Sequence, residues 1–484
     1  MESACTFERA GSRRLSSGRV NSIGSPFSRR HSLSSSGRVA PEMLHDDIEC
    51  EVVSQAGDIG DRELHSRSDT PRSSVENFMS VEEGMPPVIA GSNMHTFDVL
   101  PISTASVISP LPLDIVSSLS VETNMYPREK NPSGPVQTSL QHFKEFEKEV
   151  PPTLDYISCL LHLAVFGILG VFTRYLLQKL FGPQVADITN DRSLLYPDLP
   201  SNMVGSFLMG WFGNVFKRDI SHVSDLLAIG LTTGYLGSVT TFSGWNQKML
   251  DLSIHGRWVD AALGLLLGPW IAEMSITVGI GTAKGFRWVL SRFSANSKDG
   301  ASCSRHNFRV NNMRRHTAVF TIMVLILGGL WGVSGAFLKK WHDGGNTNGK
   351  LWLACIVGPP GVWLRWFLAR FNGRGLGRNG SMKWIPFGTL TANISASCLM
   401  ASLATVKKVV NTNECDTYAT GVQMGFLGCL STVSTFVAEF HAMLESKHPW
   451  RAWVYALITI LPSFGLGTLI YSVPVWTKGY HGTY

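Results

Sequence analysis

Two twelve-residue stretches decide the predicted fold: GYLGSVTTFSGW at residues 234–245 and GFLGCLSTVSTF at residues 425–436. Each has two glycines three residues apart, followed by hydroxyl and aromatic side chains, inside an otherwise apolar segment. Glycine lets helices approach closely or lets the backbone unwind, and a carbonyl freed at membrane depth must be buried or must coordinate an ion. For one copy alone, a tight helix crossing with each hydroxyl bonded to its own backbone is the simpler interpretation. Two matched copies favour a pair of interrupted helices that form a site.

The two stretches belong to a longer internal repeat. Residues at three successive predicted helices recur 191 positions later in the chain. A single offset that holds across three helices indicates an internal duplication. Besides the two stretches, the matching pairs are Gly170 and Gly361, Arg174 and Arg365, Asn202 and Asn393, and Ser206 and Ser397.

Most of the chain after residue 150 consists of apolar runs joined by short loops. With 44% hydrophobic and 16% charged residues, the composition favours a membrane protein over a soluble domain. A spanning helix needs about 20 mainly apolar residues. Nine runs qualify, near residues 155–181, 199–216, 223–250, 258–283, 316–338, 351–371, 384–406, 418–445 and 450–476.

The runs are arranged as four spans, one linking span and four spans. Because each repeat has an even number of spans and a single span joins them, the two repeats have opposite orientations, as in many channels and transporters. The predicted fold is an all-α membrane protein with two inverted four-helix repeats and a disordered N-terminal tail. Its parts are the tail at 1–150, the first repeat at 151–290, a basic loop and linking transmembrane helix at 291–348, and the second repeat at 349–484.

The tail is rich in Ser, Arg and Pro and lacks the apolar residues that would offset the entropy of ordering. Near its end, Leu140, Phe143 and Phe146 recur at helical spacing and predict a short amphipathic helix on the membrane surface. Basic loops at 287–315 and 370–383 fall on the same side as the tail. The positive-inside rule makes that side cytoplasmic. We expect a multi-pass plasma-membrane protein, although an organelle transit peptide shares the tail's composition.

Several function classes have little support in the sequence. The 8 cysteines show neither a C-x-x-C pair nor metal-ligand spacing, so a disulfide-linked module is excluded and no zinc site is predicted. The net charge of +6 comes mainly from the tail and loops, so nucleic acid is not an expected partner. The chain has no G-x-x-x-x-G-K-[ST] loop, which argues against a nucleotide-driven pump. We predict no enzyme activity and no organic cofactor.

The string G-x-x-G-x-x-T-T-F-S, the G-x-x-x-R end of the first helix and the N-x-x-G-S start of the second resemble the Fluc/FEX (CrcB-like) fluoride channel family. The resemblance covers about 155–283 and 351–476. The four-one-four layout resembles the eukaryotic fluoride exporters, in which one chain replaces an antiparallel homodimer. The resemblance implies passive, electrogenic efflux of fluoride across the lipid bilayer, and hence fluoride resistance, by one chain acting as a pseudo-dimer.

The resemblance also implies roles for particular residues. Backbone carbonyls of four positions would hold a central sodium ion, and these are Gly237, Thr240, Gly428 and Ser431. Two narrow pores would be lined by amide, aromatic and hydroxyl side chains, with an arginine at each vestibule. The pore positions are Asn202, Asn393, Phe242, Phe436, Thr241, Ser243, Thr432, Ser434, Tyr455, Thr459 and Ser463, and the vestibule positions are Arg174 and Arg365. Interhelical hydrogen bonds, core packing and snorkelling to headgroups are the alternative roles.

The two repeats differ at the aromatic and polar positions. The first has Phe242 and Trp245, whereas the second has Val433 and Phe436. If each pore takes one position from each half, Phe242 and Phe436 complete one pore. The polar Tyr455, Thr459 and Ser463 of the second repeat correspond to Gly264, Gly268 and Ala272 of the first. We therefore predict one working pore and one vestigial pore.

Other functions stay open on the sequence alone. Inverted repeats also build secondary transporters, so proton or sodium antiport is possible, with Glu273 or His441 as proton carrier. A membrane-embedded enzyme lacks a matched pair of carboxylates or a nucleophile within the spans. An interaction scaffold would leave the matched polar strings unexplained. Asp260, Glu439 and His441 are expected to lie near an interface and be solvated, whereas Glu273 has no evident role.

Overall fold

The structure, a computed structural model, describes residues 41–58, 60, 150–190, 193–296, 313–342, 348–376 and 382–480. These residues form helices and no strand, which confirms the predicted all-α class. The chain divides into two compact units, Met1–Asp46 and Asp47–Tyr484, and every contact described below lies within the second. The predicted amphipathic helix around Phe146 lies outside the described residues.

One helix, α1 (Pro41–Ala56), lies within the N-terminal stretch that was predicted to be disordered. Among its described side chains, Cys50 and Val53 are buried. The composition of the tail gives no sign of this helix, because its few apolar side chains pack against distant parts of the chain rather than against one another.

The first repeat begins with α2 and ends with α7, and its third helix is broken. Its helices are α2 (Pro152–Phe181), α3 (Leu199–Leu208, continued by a π-helix at Met209–Val215), α4 (Lys217–Val223), α5 (Asp225–Ile229, continued by Gly230–Leu236 and Gly237–Val239), α6 (Phe242–Ile254) and α7 (Trp258–Asn296).

The linking helix α8 (Met313–His342) leads to the second repeat, which breaks its third helix in the same place. Its helices are α9 (Gly349–Ala369), α10 (Phe387–Val410), α11 (Asn413–Val422, continued by Gln423–Leu427 and Gly428–Leu430), α12 (Ser434–Leu444), α13 (Trp450–Gly467, continued by Thr468–Ser472) and α14 (Val473–Lys478).

Within the described residues, eight helices are long and apolar enough to cross a membrane. They match eight of the nine predicted runs. The other run is present as Leu199–Leu208, continued by the π-helix Met209–Val215. The π-helical turn widens the backbone there, and such turns are frequent near functional sites.

Burial separates the broken helices from the linking helix. In the most apolar window of each broken helix, Asp225–Ile254 and Asn413–Leu444, 83% of residues are buried, against 11% in α8. The broken helices therefore form the centre of the protein, and α8 lies at its periphery. Matching glycines of α2 and α9 allow the contact: a Cβ on Gly170 would lie 2.6 Å from the carbonyl oxygen of Tyr235, and one on Gly361 would lie 2.2 Å from that of Phe426.

Candidate functional site

Both third helices stop in the middle and restart after a gap of two residues in the first repeat and three in the second. The first ends at Val239 and resumes at Phe242, and the second ends at Leu430 and resumes at Ser434. Thr240 and Ser431 have extended backbones, with ψ of 150° and 154°. The helical hydrogen-bond ladder is therefore interrupted, and several buried backbone groups need other partners. The predicted interruption is confirmed.

Asparagines from the second helices bind the break in their own repeat. The Asn202 side chain accepts a hydrogen bond from the Thr241 N–H at 2.9 Å and donates one to the Thr241 carbonyl at 3.2 Å. Asn393 does the same with Thr432, at 2.8 and 3.1 Å. Both asparagines are buried. Each amide thus replaces a missing turn of the helical ladder, so these two side chains position the break.

The two breaks cross each other through hydroxyl groups. The Thr240 hydroxyl lies 3.2 Å from that of Thr432 and 3.1 Å from that of Ser434. The corresponding pairs in the opposite direction join Ser431 to Thr241 at 3.2 Å and to Ser243 at 2.8 Å. Each contact in the first pair becomes a contact in the second pair when both residues are replaced by their counterparts in the other repeat, 191 positions away. The two halves are therefore related by a pseudo-twofold axis. The predicted hydroxyl residues meet at that axis.

Two buried arginines hold the crossing from opposite sides. The Arg174 guanidinium donates to the Gly428 carbonyl at 2.9 Å and also to the Met424 carbonyl. Arg365 donates to the Gly237 carbonyl at 2.6 Å and also to the Thr233 carbonyl. With exposures of 1% and 2%, neither arginine snorkels to a surface. Each repeat supplies a cation to carbonyls that the break in the other repeat leaves free.

Carbonyl oxygens at this crossing have the chemistry of ligands for a hard cation such as sodium. The carbonyls of Gly237 and Gly428 each accept an arginine N–H, which uses one of two lone pairs and places a positive charge beside the oxygen. Thr240 and Ser431 end the helical ladder: their N–H groups still donate to the Leu236 and Leu427 carbonyls, at 3.2 and 3.0 Å, whereas their own carbonyls belong to the extended segments. Of the four positions, Thr240 and Ser431 thus fit a cation better.

The aromatic residues predicted to complete one pore are in contact. The rings of Phe242 and Phe436 have centroids 5.8 Å apart and meet edge to face, and Phe436 lies 5.1 Å from the ring of Tyr455. All three side chains are buried. An aromatic edge carries partial positive charge and can face an anion. We call this set, with Thr459 and Ser463 on the same helix face, the Tyr455 side.

Polar groups continue along the Tyr455 side. The Tyr455 hydroxyl donates to Glu439 Oε2 at 2.7 Å, while Thr389 donates to Glu439 Oε1 at 2.7 Å. Thr459 and Ser463 are buried, and each hydroxyl donates to the carbonyl four residues earlier in its helix at 2.7 Å. Their oxygens retain lone pairs, but their protons are engaged in this conformation.

Glu439 is fully buried, so the prediction that it is solvated was wrong. Its carboxylate is held by an amide from the turn after α9 and by hydroxyl groups from α10 and α13, which no sequence signal placed beside it. Asp260 is partly exposed and pairs with Arg257 at 2.7 Å, as expected for a residue near an interface.

The equivalent position of the first repeat holds a tryptophan, Trp245, whose ring lies 5.1 Å from that of Phe242. The Trp245 indole N–H donates to the Gly264 carbonyl at 3.1 Å. A Cβ on Gly268 would lie 2.6 Å from Trp245 Nε1, so glycine is required for the indole to fit. We call Trp245, Val433, Gly264, Gly268 and Ala272 the Trp245 side. The prediction assigned these five positions to a vestigial pore. None of them carries a hydroxyl side chain, and the one side-chain donor among them, the Trp245 indole N–H, is bonded to a backbone carbonyl.

Glu273 has a partner that the sequence did not reveal. Its Oε1 lies 2.7 Å from Nδ1 of His441, and both side chains are almost fully buried, so the prediction that His441 is solvated was wrong. The two residues come from the fourth helix of the first repeat and the third helix of the second, so their 168-residue separation hid the pair.

A cavity of about 290 Å³ adjoins the crossing. Its lining includes Arg174, which the prediction assigned to a vestibule, and Thr241 and Gly428 from the two broken helices. Charges of both signs surround it, namely Arg174 and Lys248 with Asp198 and Asp251. The cavity therefore brings charged side chains next to the crossing.

Comparison with known proteins places both repeats in one family. Residues 161–284 and 352–471 match the family described as CrcB-like protein, Camphor Resistance (CrcB). The Fluoride-specific ion channel FluC of Geobacter metallireducens is 34% identical over 122 residues, covering 25% of this chain and 94% of that protein. Fluoride export protein 1 of Candida albicans is 24% identical over 356 residues, covering 68% and 82%, and that of Saccharomyces cerevisiae is 22% identical over 381 residues, covering 67% and 95%.

No solved structure matches the chain. The family matches comprise two copies that together cover half of the sequence, in the two regions that the 191-residue offset relates. The chain therefore belongs to the CrcB-like family.

Proposed function

We propose that this protein is a fluoride-selective channel that carries fluoride out of the cytoplasm passively and electrogenically and so confers fluoride resistance. The observation that carries the proposal is the pair of CrcB-like repeats in one chain, matched over two thirds of its length by proteins named for fluoride export. A negative cytoplasm favours exit of an anion by about 2.3 kcal/mol per 100 mV. The supporting geometry is a crossing of two broken helices with aromatic edges and polar groups beside it.

We propose further that fluoride passes on the Tyr455 side and not on the Trp245 side. The Tyr455 side pairs two phenylalanine rings with a line of hydroxyl groups. The Trp245 side lacks a hydroxyl at the three equivalent positions, and there the Trp245 indole packs on Gly268 while Met249 packs on Gly264. The chain thus contains two related routes, and only the Tyr455 side combines aromatic edges with hydroxyl groups that an anion could contact.

The test is fluoride release from liposomes that contain the purified protein. Vesicles loaded with potassium fluoride are followed with a fluoride electrode before and after a potassium ionophore, with chloride-loaded vesicles as the control. We expect rapid release that requires the ionophore and silent chloride vesicles. Release that requires an opposed proton gradient would instead indicate antiport. Absence of fluoride release from folded protein would contradict the proposal.

Antiport stays the second candidate because of one observation, the buried contact between Glu273 and His441. Such a pair within a transport protein is a potential proton site. The pair lies between α7 and α12, beside the Trp245 side. Glu273→Gln distinguishes the candidates: we expect unchanged fluoride release without a proton gradient, whereas a proton carrier would lose coupled transport.

The proposed sodium ion would be bound at the centre of the crossing by the carbonyls of Thr240 and Ser431, with the second lone pairs of Gly237 and Gly428 beside them. The ion would supply positive charge that keeps the two breaks together. The expected result is a lower thermal unfolding temperature when N-methylglucamine replaces sodium, restored by adding sodium back. Equal unfolding temperatures at all sodium concentrations would rule out a stabilising ion.

We propose a plasma-membrane location with the N-terminus in the cytoplasm, based on the basic loops at 287–315 and 370–383. Cys303 and Cys415 fall on opposite sides of the membrane in this topology. An impermeant maleimide applied to intact cells should label Cys415 and leave Cys303 unmodified. The reverse pattern would invert the topology.

A further inference from the structure

A short N-terminal segment lies against the Tyr455 side. We call residues 49–58 and 60 the docked segment. Cys50, Val53 and Asp58 are buried in it, with exposures of 7%, 4% and 5%. Val53 belongs to the same apolar cluster as Phe436 and Tyr455. A segment from the start of the chain therefore forms part of the core around the proposed route.

The docked segment is held by partners from distant parts of the chain. Asn372 Nδ2 donates to the Asp58 carbonyl at 2.8 Å, and Lys217 Nζ donates to the Gln55 carbonyl at 3.1 Å. Asn372 also donates to Glu439 Oε1 at 3.3 Å. One amide therefore joins the docked segment to the carboxylate that binds Tyr455.

Asp58 places a carboxylate where polar donors converge. The Thr233 hydroxyl donates to Asp58 Oδ1 at 2.6 Å. Arg365, which binds the Thr233 carbonyl, is within electrostatic range of Asp58. The other oxygen, Oδ2, is buried without a hydrogen-bond partner among the described residues. A hydroxyl and a guanidinium form a suitable environment for an anion, and the chain's own carboxylate occupies it.

Two glycines of the docked segment allow this close approach. Gly57 lies directly on the Glu439 carboxyl group, since a Cβ there would lie 2.2 Å from Oε1. Gly60 has a φ of +65°, and a Cβ on it would lie 2.6 Å from the carbonyl oxygen of Trp366. The second contact is with backbone, which cannot rotate away. The fit therefore depends on the absence of a side chain at both positions.

We propose that the docked segment closes the Glu439 end of the Tyr455 side, with the Asp58 carboxylate in the position of an entering anion, and that its release opens the route. This inference rests on the proposed fluoride channel. The segment covers the carboxyl group to which the Tyr455 hydroxyl donates, and it brings the Asp58 carboxylate within electrostatic range of Glu439. An anion could therefore reach the Glu439 end of the Tyr455 side only by displacing the docked segment.

The test compares full-length Gly60→Val with a matched variant, Gly256→Val. Both glycines have positive φ, but a Cβ on Gly256 would have no neighbouring atom within 4 Å, and Gly256 lies outside the docked segment. A valine in this conformation opposes docking, so Gly60→Val should release fluoride from liposomes about tenfold faster than wild type. Asp58→Ala should also accelerate release, and Gly256→Val should match wild type.

A second readout reports docking without any transport. Alkylation of Cys50 by a maleimide, followed by mass spectrometry of its peptide, should be slow in wild type because the thiol is buried, and fast in Gly60→Val. Faster Cys50 alkylation with unchanged fluoride release would overturn the closure while leaving the channel intact. Unchanged alkylation and release in both Gly60→Val and Asp58→Ala would overturn it too. Absence of fluoride release from every variant would instead refute the channel, and the closure with it.

Discussion

The Tyr455 side and the Trp245 side have equivalent backbones, but their side chains at equivalent positions differ. Around the crossing, hydroxyls, asparagines and arginines repeat their contacts on both sides of the pseudo-twofold axis. Away from it, the Tyr455 side carries two phenylalanines and a tyrosine, whereas on the Trp245 side an indole packs on Gly268, donates to the Gly264 carbonyl and also contacts the Phe242 ring. In a homodimer both sides must change together. In a duplicated chain, selection can keep the centre and let one side pack for stability alone.

The largest expected effect concerns the shared centre. Arg174→Met and Arg365→Met each leave two buried carbonyls without a donor, at about 1–3 kcal/mol per carbonyl. We expect both variants to unfold well below wild type and by similar amounts, since the contacts are symmetric. Thermal unfolding in detergent measures this. A marked difference between the two would show that the centre is not shared equally.

The next effect separates the two sides. Phe436→Ile removes an aromatic edge from the Tyr455 side, whereas Val433→Ile changes one methylene on the Trp245 side. Fluoride release should fall at least about tenfold in the first and stay within about twofold in the second, as expected if only one side stabilises the anion. The liposome assay decides between them. Equal losses in both variants would mean that both sides conduct.

A smaller effect tests how the Trp245 side is filled. Gly268→Ala places a methyl against the indole nitrogen and should destabilise the protein by about 1–3 kcal/mol through overpacking. Gly281→Ala is the control, because it lies on the same helix with no neighbouring atom within 4 Å. It should be neutral or slightly stabilising, since alanine favours a helix over glycine. Similar unfolding temperatures for both would show that the indole is not confined.

Local sequence patterns predicted much of this comparison. The constant offset revealed the repeat, and the glycine and hydroxyl strings located the breaks because a duplicated irregularity is visible within each segment. The pairing of Phe242 with Phe436 was predicted from the family resemblance combined with the repeat. The asparagine positions were also found, although the structure shows them bound to the backbone of the breaks.

The features that were missed depend on contacts between distant residues. Arg365 reaches Gly237 across 128 positions, and Asn372 reaches Asp58 across 314. Neither contact leaves a periodic signal in the chain. Glu439 was expected in solvent because it was placed close to a membrane interface, and only the packing of α9, α10, α13 and the docked segment makes it buried. The fit of Trp245 against Gly268 likewise requires the distance between two helices.

The reciprocal arginines have a consequence for biogenesis. As the ribosome makes the first repeat, the carbonyls of Thr233 and Gly237 emerge long before Arg365, which alone among the described side chains donates to both. The first repeat therefore enters the membrane with its centre incomplete, and the second repeat arrives with the missing donor. Each half supplies the arginine that completes the hydrogen bonding of the other half. Because the first half is synthesised first, its buried carbonyls gain their donor only after the second half has been made.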